Sequence, residues 1–293
     1  MAITIDNAFS TMFSDQVTHN AQQKASKLQG AVRTVRNVTG STYKFPVLGK
    51  AGAVKNKVSH QDIEALSTFA GTPSPAGAAT WVGATGAPMN FGTSATATID
   101  TYSAGEYADD FDILKTNADV RDAYATSIAA AMNRAYDNAI ISALDASVSA
   151  QTLAAELTNN TLNEAGLIAI HKALNDQDAD ENDRYLLVSP NGYSELITNF
   201  GNKADGPFNR AFTDGSIPNV LGFNVIMHTG LSAGSNSDHK SYAWSKNSVG
   251  MAVGKDISTS VNYVPQKLAT LISSEFSGGA VVIDPLSVVS FEA

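Results

Sequence analysis

The residue patterns in this chain that could do chemistry are few, and each is incomplete. Asp176, Asp178 and Asp180 alternate as the first oxygen ligands of a calcium-binding EF-hand loop do. Glu181 stands where that loop needs glycine, however, and Leu187 where it needs the closing bidentate glutamate. A solvated turn between a helix and a strand accounts for this run of like charges better than calcium does. Asp109, Asp110 and Asp112 form a second carboxylate group. They lie where a loop enters a long helical pattern, and fit helix-start electrostatics better than a metal site. Gly49-Lys50 imitates the end of a phosphate-binding loop, but Lys44 takes the first glycine position and Ala51 follows the lysine. No GxGxxG, GxSxG or HExxH occurs, and His19, His60, His171, His228 and His239 are scattered. With no cysteine, thiolate nucleophiles, disulfides and cysteine-ligated metals are excluded, as suits a reducing compartment. We assign no catalytic residue, no cofactor and no metal.

Charge distribution is more informative. The 293 residues carry a formal charge of -9, from 19 basic and 28 acidic residues, which disfavours wrapping nucleic acid over a broad face. Residues 16–61 run against that balance: Lys24, Lys27, Arg33, Arg36, Lys44, Lys50, Lys55 and Lys57 fall there with no Asp or Glu. Either this is a solvated basic face, or it docks against the acidic segment of a neighbouring subunit that holds Asp100, Glu106, Asp109, Asp110, Asp112, Asp119 and Asp122. Nucleic acid is a third, weaker reading. From Ala65 to Ile99 the chain then has no charged residue and no histidine, yet includes Phe69, Trp81, Met89 and Phe91. An uncharged stretch with large aromatics is expected to be covered by something, and another copy of the chain is the favoured partner.

The elements that must position these residues follow from periodicity. Phe9, Phe13, Val17 and Ala21, with Ala25 or Leu28, recur every three or four residues, predicting an amphipathic helix over about 7–28, with Gly30 as its stop. Strands are expected at 31–38 and 42–48, and at 96–102, the last two as the legs of a long hairpin around the uncharged segment. The strongest signal is the row Val120, Tyr124, Ile128, Met132, Tyr136, Ile140 and Leu144 in an alanine-rich background, which predicts one helix over 117–146. Beyond it α and β alternate: helices at 163–174 and 190–199, strands at 184–189 and 223–228, and a surface loop at 201–221. Strands follow at 241–244, 249–253, 259–264, 267–276 and 280–291. No stretch approaches the roughly 20 apolar residues of a membrane span, and Met1 to Asp6 lack the features of a signal peptide, so no membrane partner is expected.

This order of elements resembles the major capsid proteins of tailed bacteriophages, the Hong Kong 97-like fold, and most of all the coat proteins of short-tailed phages (podoviruses). Lys44-Phe45-Pro46-Val47-Leu48-Gly49 is similar to the stretch that enters their extended loop. Asp112-Ile113, Val120-Arg121 and Tyr124 are similar to the opening of their spine helix, which continues in small residues as Ala129-Ala130-Ala131 and Ala135 do here. Arg184 to Tyr193 looks like the strand-Pro-helix step of their axial domain, and Gly222-Phe223-Asn224-Val225 like its next strand.

The resemblance implies an α+β fold. It comprises an N-terminal arm (1–42), an extended β-hairpin loop (43–102), and a peripheral domain with the spine helix (103–150). A mixed α/β axial domain (151–254), return strands of the peripheral domain (255–277) and a final axial strand (278–293) complete it. It implies a non-enzymatic shell protein that self-assembles into hexamers and pentamers of an icosahedral virion, enclosing double-stranded DNA without reading its sequence. A separate scaffolding protein and a portal are the further partners expected, with assembly in the host bacterial cytoplasm. The inter-subunit candidates are Lys44, Lys50, Lys55, Lys57, Phe69, Trp81, Met89, Phe91, Asp109, Asp110 and Asp112. An encapsulin-type compartment shell shares the fold and is the first alternative; an α/β hydrolase or metal-binding enzyme is the second.

Overall fold

A computed structural model describes residues 21–47, 93–109, 120–147, 162–201, 217, 219–234 and 239–292. Its longest rod is α1, Val120–Ala146, about 40 Å at 1.5 Å per residue. From Ile128 on the i+4 row works as the sequence predicts, with Ile128, Met132, Tyr136, Ile140 and Leu144 all buried, while Tyr124 before them is half-buried. They face a four-stranded sheet, ordered β1-β9-β10-β4, of β1 (Arg33–Val35), β4 (Asp100–Asp109), β9 (Val249–Val264) and β10 (Ala269–Val282). Beneath α1 the inward residues Met251, Val253 and Phe276 join this core, and Tyr102 stacks on Phe276 with ring centroids 5.4 Å apart.

The second core lies on a five-stranded sheet ordered β11-β8-β5-β7-β6. Here β5 (Arg184–Val188) pairs in parallel with β7 (Phe223–Met227) and antiparallel with β8 (Lys240–Ser245). The edges are β6 (Asn219–Val220) and β11 (Val288–Glu292). Helix α2 (Glu164–Asp176) buries Gly166, Leu167, Ile170 and Leu174, while α3 (Pro190–Gly201) contributes Leu196. Asn163 caps α2, its side chain accepting from the Gly166 amide at 2.8 Å. Between β6 and β7 the two-residue turn places Leu221 and Gly222 at φ 49° and 80°, the left-handed pair such a tight hairpin requires. A third, two-stranded sheet joins β2 (Thr42–Val47) to β3 (Thr93–Thr98), the base of the expected hairpin.

Several expectations need correction. Residues 21–28 are not helical: the Lys27 and Leu28 amides turn to a side-chain carboxylate rather than to carbonyls one turn back. The strand expected over 31–38 shrinks to three residues, since the backbone turns left-handed at Asn37 (φ 58°). The second hairpin leg stops at Thr98, and the chain enters β4 at Asp100, which pairs with β10 in another sheet. Residues 249–253 and 259–264 belong to one strand, and β10 runs unbroken through Gly278 and Gly279. Those glycines serve close approach rather than a turn, because a Cβ on Gly279 would stand 1.7 Å from the Thr98 carbonyl oxygen. At the end of the loop expected over 201–221, Ile217 is buried and Val220 is in a strand.

Candidate functional site

Three features of the described surface bear on function, and none is an enclosed catalytic pocket. The first is the far half of the β9–β10–β4 ribbon. Register puts Thr259, Val261 and Tyr263 on the same face as Ser274, Ile272 and Thr270 of β10. Those central residues are buried, yet Val261 is 58% exposed and Tyr263 52%. Thr-Ser-Val-Asn-Tyr thus has the alternation of a strand with one buried face, and here that face is half uncovered. Leu268 is exposed at the adjoining turn, and Tyr107, exposed on the opposite face, carries the Lys267 ammonium 3.7 Å from its ring centroid. Among the described residues β1 pairs only with Gly250 to Ala252 of β9, and β4 is the sheet's last strand. Among the described residues the ribbon therefore has open edges as well as an apolar face.

The second feature is the hairpin base. Phe45 is buried against Ala97 and Ala252, with Tyr43 edge-on to its ring, and a Cβ on Gly250 would meet the Phe45 ring at 2.7 Å. Lys44, the next residue on β2, is exposed opposite Thr96. Asp109 ends β4, in a strand rather than the loop expected, nine residues or about 30 Å along it from Asp100. Lys50, Lys55, Lys57, Phe69, Trp81, Met89, Phe91, Asp110 and Asp112 lie outside the described residues. Part of the basic stretch is used within the subunit: Arg36 donates to both carboxylate oxygens of Asp256, at 3.0 and 3.2 Å. Lys27 Nζ donates to the Met227 carbonyl at 2.8 Å, and the Arg33 guanidinium lies 5.9 Å from the Phe45 ring centroid.

The third feature is the root of the N-terminal segment. Leu28, Ala31 and Val32 are buried between α1 and the sheets, and the Trp244 indole donates to the Ala31 carbonyl at 2.9 Å. Beside them Asp137, fully buried on α1, accepts four hydrogen bonds. The donors are Gln23 Nε2 (2.5 Å), Ser26 Oγ (2.5 Å), the Lys27 amide (3.0 Å) and the Leu28 amide (3.3 Å). His228 Nε2 stands 3.6 Å away, while its Nδ1 accepts from the Gly230 amide at 2.9 Å. Burial alone would push the Asp137 pKa up. The His228 ring, the Lys27 amide, the Ser26 hydroxyl and the Gln23 amide outweigh it and hold that pKa below the usual carboxylate value. One turn beyond Ile141, Asp145 accepts from Ser232 Oγ and from the Tyr242 hydroxyl, whose pKa burial and this carboxylate push up.

Asp137 and His228 were not singled out by sequence, nor were Val261 and Tyr263. One signal was present for Asp137: it falls seven residues after Ala130 and four before Ile141, on the edge of the buried stripe, in an alanine-rich helix. Of the carboxylates that resemble a calcium loop, that of Asp180 is employed within the loop itself. Asp180 accepts from the Asn182 amide, and the loop wraps the buried Arg184 guanidinium, which donates to the Asp180 and Ala179 carbonyls and to Asn175 Oδ1. Among the described residues no three carboxylate or imidazole groups converge as a metal site would require, and no helix is long and apolar enough to cross a membrane.

The architecture has close parallels. The capsid structure of cyanophage P-SCSP1u superposes with a TM-score of 0.70 at 14% identity, over 100% of this chain and 95% of that one. A chain of Mycobacterium phage Che8 gives 0.65 at 14% identity, over 98% of each. The capsid of the empty GTA particle gives 0.67 at 12%, over 97% of this chain and 95% of that one. At such identities the likeness is one of fold. No curated protein matches the sequence. The family model for phage capsid proteins matches residues 5–293.

Proposed function

Since the chain belongs to the phage capsid protein family, it is a shell-forming structural protein with the Hong Kong 97-like fold, and we propose how its copies meet and what they enclose. They form hexamers and pentamers that close into an icosahedral shell around double-stranded DNA, helped by a separate scaffolding protein and a portal. The role is mechanical and not catalytic. The observation that carries the reading is the family match over nearly the whole chain. It favours a phage shell over a cellular compartment of the same fold.

The uncovered ribbon supports the proposed way of meeting. Val261, Tyr263 and Leu268, each more than half exposed, make an apolar surface that a single subunit leaves in water. Shells are held by many such modest interfaces, each repeated by symmetry. The inter-subunit candidates Lys44 and Asp109, with Lys50, Lys55, Lys57, Phe69, Trp81, Met89, Phe91, Asp110 and Asp112, belong to the same reading. The basic stretch of one copy faces the acidic stretch of another, and the uncharged segment ahead of β3, residues 65–92, lies on a neighbour. An acidic subunit suits the cargo, since an inner wall that holds DNA weakly lets it be packed and released. The similarity to short-tailed phage coats, the division into arm, extended loop, peripheral and axial parts, and assembly in the host cytoplasm stand on the motifs quoted above.

Particles purified from infected cells test this. The account expects the chain as the most abundant protein by mass spectrometry, with nuclease-protected double-stranded DNA inside. Particles lacking the chain, or filled with protein cargo instead, would overturn it. Deleting Gly71 to Gly92 tests the covering role of the uncharged segment: shells should be lost while the subunit stays folded and helical, and normal shells would refute that role.

A further inference from the structure

We infer that Asp137 is the positioning residue that fixes where the N-terminal arm leaves the subunit, and that shell assembly depends on this clasp. The inference rests on the shell reading above. A carboxylate with no exposed surface is retained only when its lone pairs are met. All four donors that meet those of Asp137 come from one short stretch, Gln23 to Leu28, more than a hundred residues away in sequence. Two of the donors are backbone amides. The carboxylate therefore fixes the path of the chain and not only the identity of its side chains.

The clasp also ties α1 to the end of β7, at the border of a core that α1 shares with residues of both large sheets. Asp137 belongs to α1, which packs on the four-stranded sheet. His228, just past β7 of the five-stranded sheet, is held by its amide to the Val188 carbonyl and by its ring to the Gly230 amide. With Nδ1 accepting that amide proton, Nε2 is left 3.6 Å from the Asp137 carboxylate, near it but beyond hydrogen-bond distance. Lys27 adds its bond to the Met227 carbonyl, so the arm's root is tied to the helix on one side and to the end of β7 on the other. Arg134 secures the stretch one step further out, donating to Gln22 Oε1 at 2.9 Å and to the Gln23 carbonyl at 3.3 Å, while Asn133 donates to the Lys24 carbonyl at 2.9 Å. Beyond Ala21 the arm's path starts from this junction. A segment that is to meet a neighbouring copy needs a fixed starting point, and the clasp supplies one at residues 23–28.

The test uses the full chain with Asp137→Asn, which keeps the shape of the side chain and replaces one acceptor oxygen by a donor. Hydrogen exchange of the soluble subunit should show the Lys27 and Leu28 amides exchanging at least tenfold faster, with exchange within β5 and β8 unchanged. Electron microscopy should show closed shells reduced at least tenfold. Retained protection at Lys27 and Leu28 would overturn the clasp. Lost protection with normal shells would overturn its role in assembly. The double variant Gln23→Ala with Ser26→Ala removes donors from the arm side and leaves α1 intact. It should show smaller effects in the same direction, and decides the matter should Asp137→Asn not fold. Wild-type chain that forms no shells would refute the shell reading, while the exchange result would still judge the clasp.

Discussion

The two large sheets treat their surfaces differently. On the five-stranded sheet, α2 and α3 help close a core in which Leu186, Val188, Leu196, Phe223, Val289 and Phe291 are almost wholly buried. The four-stranded sheet is covered by α1 and the arm's root only in part, and its far ribbon leaves Val261 and Tyr263 more than half in water. A sheet that completes its own core has stability as its task. An alternating strand left uncovered among the described residues is the place where, on our proposal, another copy docks. Substitutions should therefore divide into those that unfold the subunit and those that leave it folded but unable to assemble.

The largest effect expected is from Phe223→Ala, in the closed core, which should lower subunit stability by about 3–5 kcal/mol in urea unfolding. A loss under 1 kcal/mol would mean that this core is not the stable half. Gly279→Ala comes next. Its methyl group would overlap the Thr98 carbonyl where β3 crosses β10, so the hairpin base must shift, at a cost of about 1–3 kcal/mol. Near-UV circular dichroism and thermal unfolding would register that shift.

The pH dependence sharpens the comparison at the junction between the sheets. Asp137 is held below the ordinary carboxylate pKa, so its contribution to stability is fully present above that ordinary value and is lost as pH falls through the lower folded one. Urea midpoints measured from about pH 7 to about pH 2.5 should fall at the acid end, and less steeply for Asp137→Asn. An identical profile for the two chains would contradict the assigned shift. Asn163→Ala, removing the α2 cap, should lose about 1 kcal/mol. Smallest for the subunit should be Val261→Ser with Tyr263→Ser, within about 0.5 kcal/mol per site. That pair should nevertheless cut shell yield in sedimentation. Unimpaired shells would show that the ribbon face is not an interface.

Much of this division was legible in the sequence where periodicity is long. The i+4 row on α1, the α2 and α3 patterns and strands β5, β7 and β8 lie within a few residues of their expected places. What escaped was set by contacts distant in sequence. Residues 21–28 have a helical pattern, but Asp137 captures the Lys27 and Leu28 amides. Ser103 to Asp109 have the Ala, Gly and Glu of a poor strand, yet β10 recruits them into ten residues of antiparallel ladder. Gly278 and Gly279 read as a break because a single chain of letters does not show that the Phe276 ring folds against the first and Thr98 passes over the second. The site was less legible than the fold. Lys44 and Asp109 were chosen by charge, whereas Val261 and Tyr263 stand out only once register shows that they share a face with buried Ile272 and Thr270.

The most direct measurement is electron microscopy of the chain, expressed alone and with its neighbouring genes, together with the mass of the soluble fraction by light scattering. The account predicts closed shells or capsomer-sized rings whose mass is a multiple of the subunit's 30.6 kDa. Monomers and dimers alone, even with the neighbouring gene products present, would contradict it.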